Sequence, residues 1–496
     1  MLLVAGPARA DDAPIGEGGA PGVAFEARGP TPGSFAAVPP LSPTAGASDS
    51  SPPVDPPRPD SEPRILHPDS TRIGELEWGR LKLRPTLLLE TAGFAEGNAG
   101  FGGEWAVGPV KDSKVYFEHA NQVGLDARFD LGRHGSLRGR VSGVFSMTGG
   151  GVDAGGSNGS DINVQAYTLE DASLTWESGD AFPALGHDAI SIGAGNQHYQ
   201  VFDGLVFWIG ASTGGPRGAL WISPRKAFQE TGVVRLTTHG VTVEGFHLKY
   251  DDDPDTDTRL AGGRVELTAQ DTVVRSVTAG LSYFNLYESK TRSRDGLNGI
   301  YAYGAVTPLL RLPDLSWTAS FVQQLNSEVA GLSDATGYAL SPSYRFASLP
   351  WTPQLWYRFA SFSGGSTRNF DPLFPGLSDW GSWFQGELLG EFVIANSNLD
   401  SHMVRIEAQP HEDLTLNLLY YKFLLSDLDQ SFGTTPKRVS SADLADEIDL
   451  IAQLALTPWW SILTELTVAV PDRGFREAVG GSSTWINGMV YFRLRF

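Results

Sequence analysis

From residue 80 to residue 496 the chain repeats one pattern: segments of about 9 to 17 residues in which apolar and polar side chains alternate, separated by turn-forming residues. The last segment is the clearest. Ile486, Gly488, Val490, Phe492, Leu494 and Phe496 fall on one face, and Trp485, Asn487, Met489, Tyr491, Arg493 and Arg495 on the other. Successive side chains of a strand point to opposite faces, so a sustained period of two predicts strands that separate an apolar medium from a polar one. No run reaches the roughly 18 apolar residues of a membrane-spanning helix, whereas a spanning strand needs only about 9–11. Strand starts are expected near residues 80, 115, 137, 162, 189, 230, 241, 261, 274, 299, 315, 337, 353, 400, 414, 443, 461 and 484, eighteen in all. Lipid cannot hydrogen-bond an open strand edge, so an even number of strands predicts closure. The expected fold class is all-β: a closed antiparallel transmembrane β-barrel of about 18 strands over residues 66–496. Its connections alternate. Those at 131–135, 238–240, 410–413 and 458–460 are tight and expected to be periplasmic, and their partners are long and expected outside.

Composition removes other classes. The 496 residues contain no cysteine, which excludes a disulfide scaffold and thiolate chemistry. With 57 acidic against 37 basic residues the formal charge is −20, which argues against nucleic acid as a partner. Residues 1–10 read as the remnant of a secretory signal peptide, with small residues before Asp11 and the basic region missing. Residues 11–65 are rich in Pro, Gly, Ala and Ser, as in Ser51-Pro52-Pro53-Val54-Asp55-Pro56-Pro57, and cannot bury enough apolar surface to offset chain entropy. They predict a disordered periplasmic arm, either a spacer or a docking segment for a periplasmic partner. Residues 1–65 hold eight acidic and four basic residues, so residues 66–496 still carry −16. A closing strand that ends on Phe496 resembles the assembly signal of bacterial outer-membrane barrels, which implies a Gram-negative outer membrane, its lipid and its barrel-assembly machinery as surroundings.

Two insertions, about 198–229 and 363–399, are too apolar for free loops and are expected to fold into or over the lumen. The second supplies the constriction candidates Phe370, Asp371, Trp380, Trp383, Gln385 and Glu387; in a competing reading 382–395 is a further strand. Parity also predicts the lining. Leu137, Val141, Phe145 and Met147 must face lipid if Arg138, Arg140, Ser142 and Ser146 face water. The same test turns Lys82, Arg84, Arg128, Arg235, Arg264, Arg345, Arg358, Arg405, Arg493 and Arg495 inward, with Glu90, Glu118, Asp126, Asp130, Glu266 and Glu407 as the inward acids. The remaining acids are assigned to connections, notably 251–257 and 443–449. The expectation is a basic, anion-binding lumen in an acidic protein, unless these arginines only knit the wall through carboxylate pairs.

Phe370-Asp371-Pro372-Leu373-Phe374-Pro375-Gly376, Trp380-Gly381-Ser382-Trp383-Phe384-Gln385-Gly386-Glu387, Asn396-Ser397-Asn398-Leu399 and His402-Met403-Val404 together resemble the alginate-export family of outer-membrane β-barrel porins, most closely over 360–496 and more thinly upstream at Gly195-Asn196-Gln197. The resemblance implies an eighteen-stranded barrel with a basic conduit for an anionic polysaccharide or uronate-like solute. A general small-solute porin and a barrel serving adhesion or scaffolding remain alternatives. No cofactor and no enzyme activity are expected: P-loop and H-E-x-x-H motifs are missing, and His134-Gly135-Ser136 falls in a tight turn. The acidic run 251–257 is either a solvated loop or a calcium-binding one.

Overall fold

The computed structural model describes residues 74–496 except 106–107, 110–112, 151–162, 270–275, 308–311, 313, 327–330, 377–384 and 429–437. The expected signal remnant and Pro-rich arm, and the constriction candidates Trp380 and Trp383, lie outside the described residues.

The alternating segments form one antiparallel sheet that closes on itself. Its barrel strands are β1 (Leu81–Gly97), β2 (Ser113–Asp130), β3 (Ser136–Gly150), β4 (Val164–Glu177), β5 (Ile190–Gln197), β6 (Phe228–Thr238), β7 (Val241–Lys249), β8 (Arg259–Ala269), β9 (Ser276–Glu288), β10 (Asn298–Thr307), β11 (Leu315–Leu325), β12 (Ala335–Arg345), β13 (Gln354–Phe362), β14 (Leu399–His411), β15 (Leu414–Leu424), β16 (Asp443–Ala455), β17 (Trp460–Pro471) and β18 (Trp485–Arg495). Each strand pairs with its sequence neighbours, and β18 closes the ring on β1 from Leu88↔Arg495 to Gly97↔Ile486. The terminal Phe496 continues this seam by exchanging backbone hydrogen bonds with Leu87. A short extra strand, Leu76–Trp78, doubles back on the start of β1.

Burial is inverted relative to a water-soluble sheet. On β2, Val115 is 73 % exposed and Val123 61 %, while Glu118 between them is fully buried. Apolar groups face outward because lipid replaces a core there, and polar groups face inward because only the lumen can pair them. Most connections at one end are short, the twelve residues between β4 and β5 being an exception. His239 and Gly240 both take positive φ and join β6 to β7 in a two-residue turn of the primed kind, whose twist matches that of the strands. A Cβ at Gly240 would also stand 2.4 Å from the Thr268 carbonyl oxygen. The other end carries the long connections, as the alternation predicts.

One irregularity alters the lining. Between Val141 and Gly143 of β3 the register of β4 slips, so that Glu170 and Asp171 both turn inward and the parity beyond them reverses. Glu177 therefore also faces the lumen. The 443–449 acids are likewise not in a connection, since they begin β16, with Glu447 and Asp449 fully buried on its inner face. Residues 386–390 are π-helical rather than strand, which settles the competing reading of 382–395 over its described part.

Both insertions, 198–227 and 363–398, fold inward and pack on each other. Val201, Leu205, Val206, Phe207 and Trp208 from the first, with Phe370, Phe374, Leu388 and Leu389 from the second, are buried. Phe207 and Phe374 form a parallel bridge, and Trp208 N donates to the Phe374 carbonyl at 2.8 Å. Phe207 also meets inward aromatics of the wall, Phe246 and Phe284, edge to face at 5.6 and 5.0 Å. The barrel thus encloses an apolar core, each large side chain of which contributes roughly 1.5–3 kcal/mol by leaving water.

Candidate functional site

The inner wall has two regions of different chemistry. Where the insertions fill the lumen, wall side chains hold successive backbone N–H groups of the inserted chain. Glu118 accepts Trp221 N at 3.1 Å and Ile222 N at 2.9 Å. Glu170 accepts Lys226 N at 2.7 Å and Ala227 N at 2.8 Å. Glu447 accepts Leu388 N at 2.9 Å and Leu389 N at 2.8 Å. Gln324 does the equivalent for a neutral partner, donating to Asp371 O at 2.6 Å and accepting Asp371 N at 2.9 Å. An irregular loop inside a barrel would leave backbone donors unpaired, and these clamps supply the acceptors.

The inserted chain makes its own polar anchors. Arg225 reaches Ser146 Oγ at 2.8 Å and Thr168 Oγ1 at 2.7 Å, and burial lowers its guanidinium to about 10. Asp203 accepts the Tyr301 hydroxyl at 2.5 Å and Ser320 Oγ at 2.8 Å. Asp371 is forked by Arg294 at 2.8 Å through both nitrogens, and burial of that arginine is offset by the pairing, which raises it. Glu387 accepts Trp221 Nε1 at 2.9 Å, tying one insertion to the other. Burial first, then the neighbouring Asp449, pushes the Glu387 carboxyl up to about 8. Gln385 bridges Arg358 at 3.2 Å and Asn396 at 2.9 Å. Four constriction candidates, Phe370, Asp371, Gln385 and Glu387, are therefore buried parts of the filling.

The short-turn end of β1–β3 is different. Arg84 meets Asp126 at 2.7 Å; Arg140 meets Asp126 at 3.6 Å and Asp171 at 3.0 Å; Arg138 meets Glu177 at 2.9 Å. In each of these pairs the base is more exposed than the acid. Side-chain exposure is 50 % for Arg84, 41 % for Arg140 and 38 % for Arg138, against 25 % for Asp126, 10 % for Asp171 and 15 % for Glu177. Lys82, also half exposed, pairs with Glu75 at 3.1 Å and Glu77 at 2.5 Å. Arg128 shares this face.

The other expected lining bases are distributed around the wall. Arg235 at 2.5 Å and Arg264 at 2.8 Å share the buried Glu244, and Arg264 also meets Glu266 at 2.9 Å. Arg405 pairs with Glu407 at 2.5 Å and lies 4.7 Å over Trp356; Arg493 lies 3.8 Å from Glu90. Arg345 and Arg495 are half-buried at the last residues of β12 and β18. The expected tally of acids was too small: Glu96, Glu170, Asp171, Glu177, Glu244, Glu447, Asp449 and Glu465 add to the inner face. Parity alone points to Glu96, Glu244 and Glu465, whereas Asp171 and Glu177 depend on the β4 bulge. The run 251–257 is charge-compensated by Arg217 on Asp251, Lys249 on Asp255 and Asp257, and Lys290 on Asp257. His134 and Ser136 do not pair with each other: Ser136 Oγ donates to Glu177 and the His134 ring accepts from Arg133.

Comparison with known proteins agrees with this architecture. Among solved structures the chain is similar to Pseudomonas aeruginosa OpdQ (11 % identity, TM-score 0.52, covering 84 % of this chain and 97 % of that one). It is similar also to P. aeruginosa OccK9 (OpdG) (10 %, 0.54, 84 % and 98 %) and to a BenF-like porin from Pseudomonas fluorescens Pf-5 (12 %, 0.52, 84 % and 99 %). At these identities the likeness shows the fold. No curated protein matches the chain. The family model described as alginate export matches residues 227–488, more than half of the chain, from the end of the first insertion into β18. Barrel and family point to an outer-membrane channel rather than an enzyme, and the chain belongs to the alginate export family.

Proposed function

We propose that the channel passes an anionic solute, a uronate-like molecule or an anionic polysaccharide, without coupling to an energy source. The observation that supports this reading is the set of ion pairs at the mouth on β1–β3, where each arginine is more exposed than its carboxylate partner. A solute there meets cations first, and a guanidinium keeps its charge at every physiological pH while offering a planar fork to a carboxylate. The experiment is a reversal-potential measurement on the reconstituted channel in a salt gradient. Anion preference is expected, and cation preference would overturn the proposal.

A general small-solute porin is the second reading, and the filled lumen favours it, because two packed insertions leave less room for a polymer. Block by oligouronates of increasing length separates the two. An electrically silent protein would instead support the scaffold alternative.

A further inference from the structure

We propose that the inner face of β16–β18 binds a divalent cation of the calcium class, held by the Asp449 and Glu465 carboxylates and the Asn487 amide oxygen where the second insertion docks. Strand register brings these residues together. Asp449 of β16 faces Thr467 of β17, and Thr467 faces Asn487 of β18, with Glu465 two residues along β17 on the same face. All three are buried, Asp449 at 0 % exposure, Glu465 at 6 % and Asn487 at 2 %. Yet Asp449 Oδ1 and Oδ2, Glu465 Oε2 and Asn487 Oδ1 accept no hydrogen bond of normal geometry. The donors nearby are engaged elsewhere: Thr467 Oγ1, beside Asp449, gives its proton to Glu465 Oε1 at 2.7 Å, and Asn487 Nδ2 reaches that same oxygen at 3.3 Å. This contact fixes the amide, since the reverse orientation would set Asn487 Oδ1 against a carboxylate oxygen. Neither carboxylate has a Lys or Arg partner among the described residues.

The other two carboxylates of the cluster have work of their own, Glu447 on the Leu388 and Leu389 N–H groups and Glu387 on the Trp221 indole. What remains is two negative charges and four acceptor oxygens, with neither base nor donor to match them. Water would bring donors but no charge; two protons would cancel the charge but supply two donors for four acceptors. A divalent cation answers both needs. The donor set is all oxygen, without His or thiolate, which selects a hard ion over zinc. Calcium accepts irregular cages completed by water, whereas magnesium demands a near-octahedral one. Asp449 also lies beside the Glu387 backbone, so the bound ion fastens the second insertion to the last three strands of the barrel. The site makes no use of the transported solute, and it stands or falls separately from the proposed function.

The test is equilibrium dialysis of the full-length chain, refolded in detergent and stripped with a chelator, against calcium chloride at neutral pH. The control is a surface group: His411, Glu412 and Asp413 on the exposed β14–β15 turn also bring ligand atoms within 4.8 Å of one another, with no buried unpartnered oxygen behind them. Expected is one ion per chain whose affinity is unchanged in Asp413→Asn. In Asp449→Asn and in Asn487→Ala it should weaken by at least the roughly tenfold that loss of an outer-shell partner costs at a metal site. Calcium should also raise the temperature of heat-modifiable migration in the wild type and leave that of Asp449→Asn where it was. Heat-modifiable migration reports an intact barrel, and Asn487→Ala, which removes no charge, carries the test if Asp449→Asn fails to fold. A folded wild type that takes up no calcium, or uptake lost in Asp413→Asn and kept in Asn487→Ala, would overturn the site. Equal binding and equal stabilisation by magnesium would overturn the calcium assignment.

Discussion

The wall under the insertions and the wall at the short-turn mouth use the same two residue types in opposite ways. Under the insertions the carboxylates work on backbone: Glu118, Glu170 and Glu447 each satisfy two adjacent N–H groups and are shut away from solvent in doing so. At the mouth the carboxylates work on guanidinium groups, and the arginines remain in contact with the lumen. An acidic residue in a barrel wall is thus not by itself evidence of a cation path. Its effect on a passing solute depends on whether a backbone donor, a base or water takes its charge.

The largest expected effect comes from removing the filling. Deleting 370–376 takes out Phe370, Phe374 and the Asp371 fork to Arg294, and single-channel conductance should rise severalfold; an unchanged conductance would show that this segment does not limit the pore. Next is a single clamp. Glu447→Ala leaves Leu388 N and Leu389 N without their acceptor, and each buried unpaired donor costs about 1–3 kcal/mol, so thermal stability should drop and the channel should flicker. Glu77→Ala at the mouth should change stability little, because an exposed pair is worth about 0–1 kcal/mol.

Selectivity sharpens the same contrast. Arg138→Ser with Arg140→Ser should lower anion preference at nearly constant stability, because both side chains are open to the lumen. Arg358→Ser and Arg405→Ser should do the reverse, since Arg358 is buried against Gln385 and Arg405 against Trp356, Asn417 and Glu407. Equal selectivity changes in the two double variants would erase the distinction drawn between the regions.

The smallest effect is a pH dependence at Glu387. Its carboxyl is raised from 4.5 to about 8 when docked, by burial and by Asp449. Between those values the docked segment holds a proton that the released segment gives up, so docking weakens as pH rises through that window and is strongest below it. Open-state noise should grow from pH 5 to pH 8 in the wild type and stay flat in Glu387→Gln, which retains an acceptor for Trp221.

The strand plan was legible in the chain. All eighteen expected starts lie within two residues of those observed, because each face of a spanning strand meets a different solvent and a slip of one residue would put every side chain in the wrong one. The inward folding of the insertions was legible as well, since Phe202, Phe207, Phe370 and Phe374 have no reason to sit in a water-exposed loop. Harder to read was the charge of the lining. The bulge at Glu170 and Asp171 carries no local signature, and it reverses the facing of Glu177 seven residues on.

The sequence by itself determined a closed barrel, its strand starts and, away from the β4 bulge, the faces of its strands, all of which follow from local alternation and the need to satisfy backbone groups in an apolar medium. Only the tertiary structure decided which inward charges are free to act on a solute. Glu118 lies more than a hundred residues from the Trp221 amide it accepts, and Arg128 is set between Lys82 and Arg138 by strand register. Pairing across such separations depends on which groups the closed wall brings opposite one another, and alternation along a single strand carries no record of it.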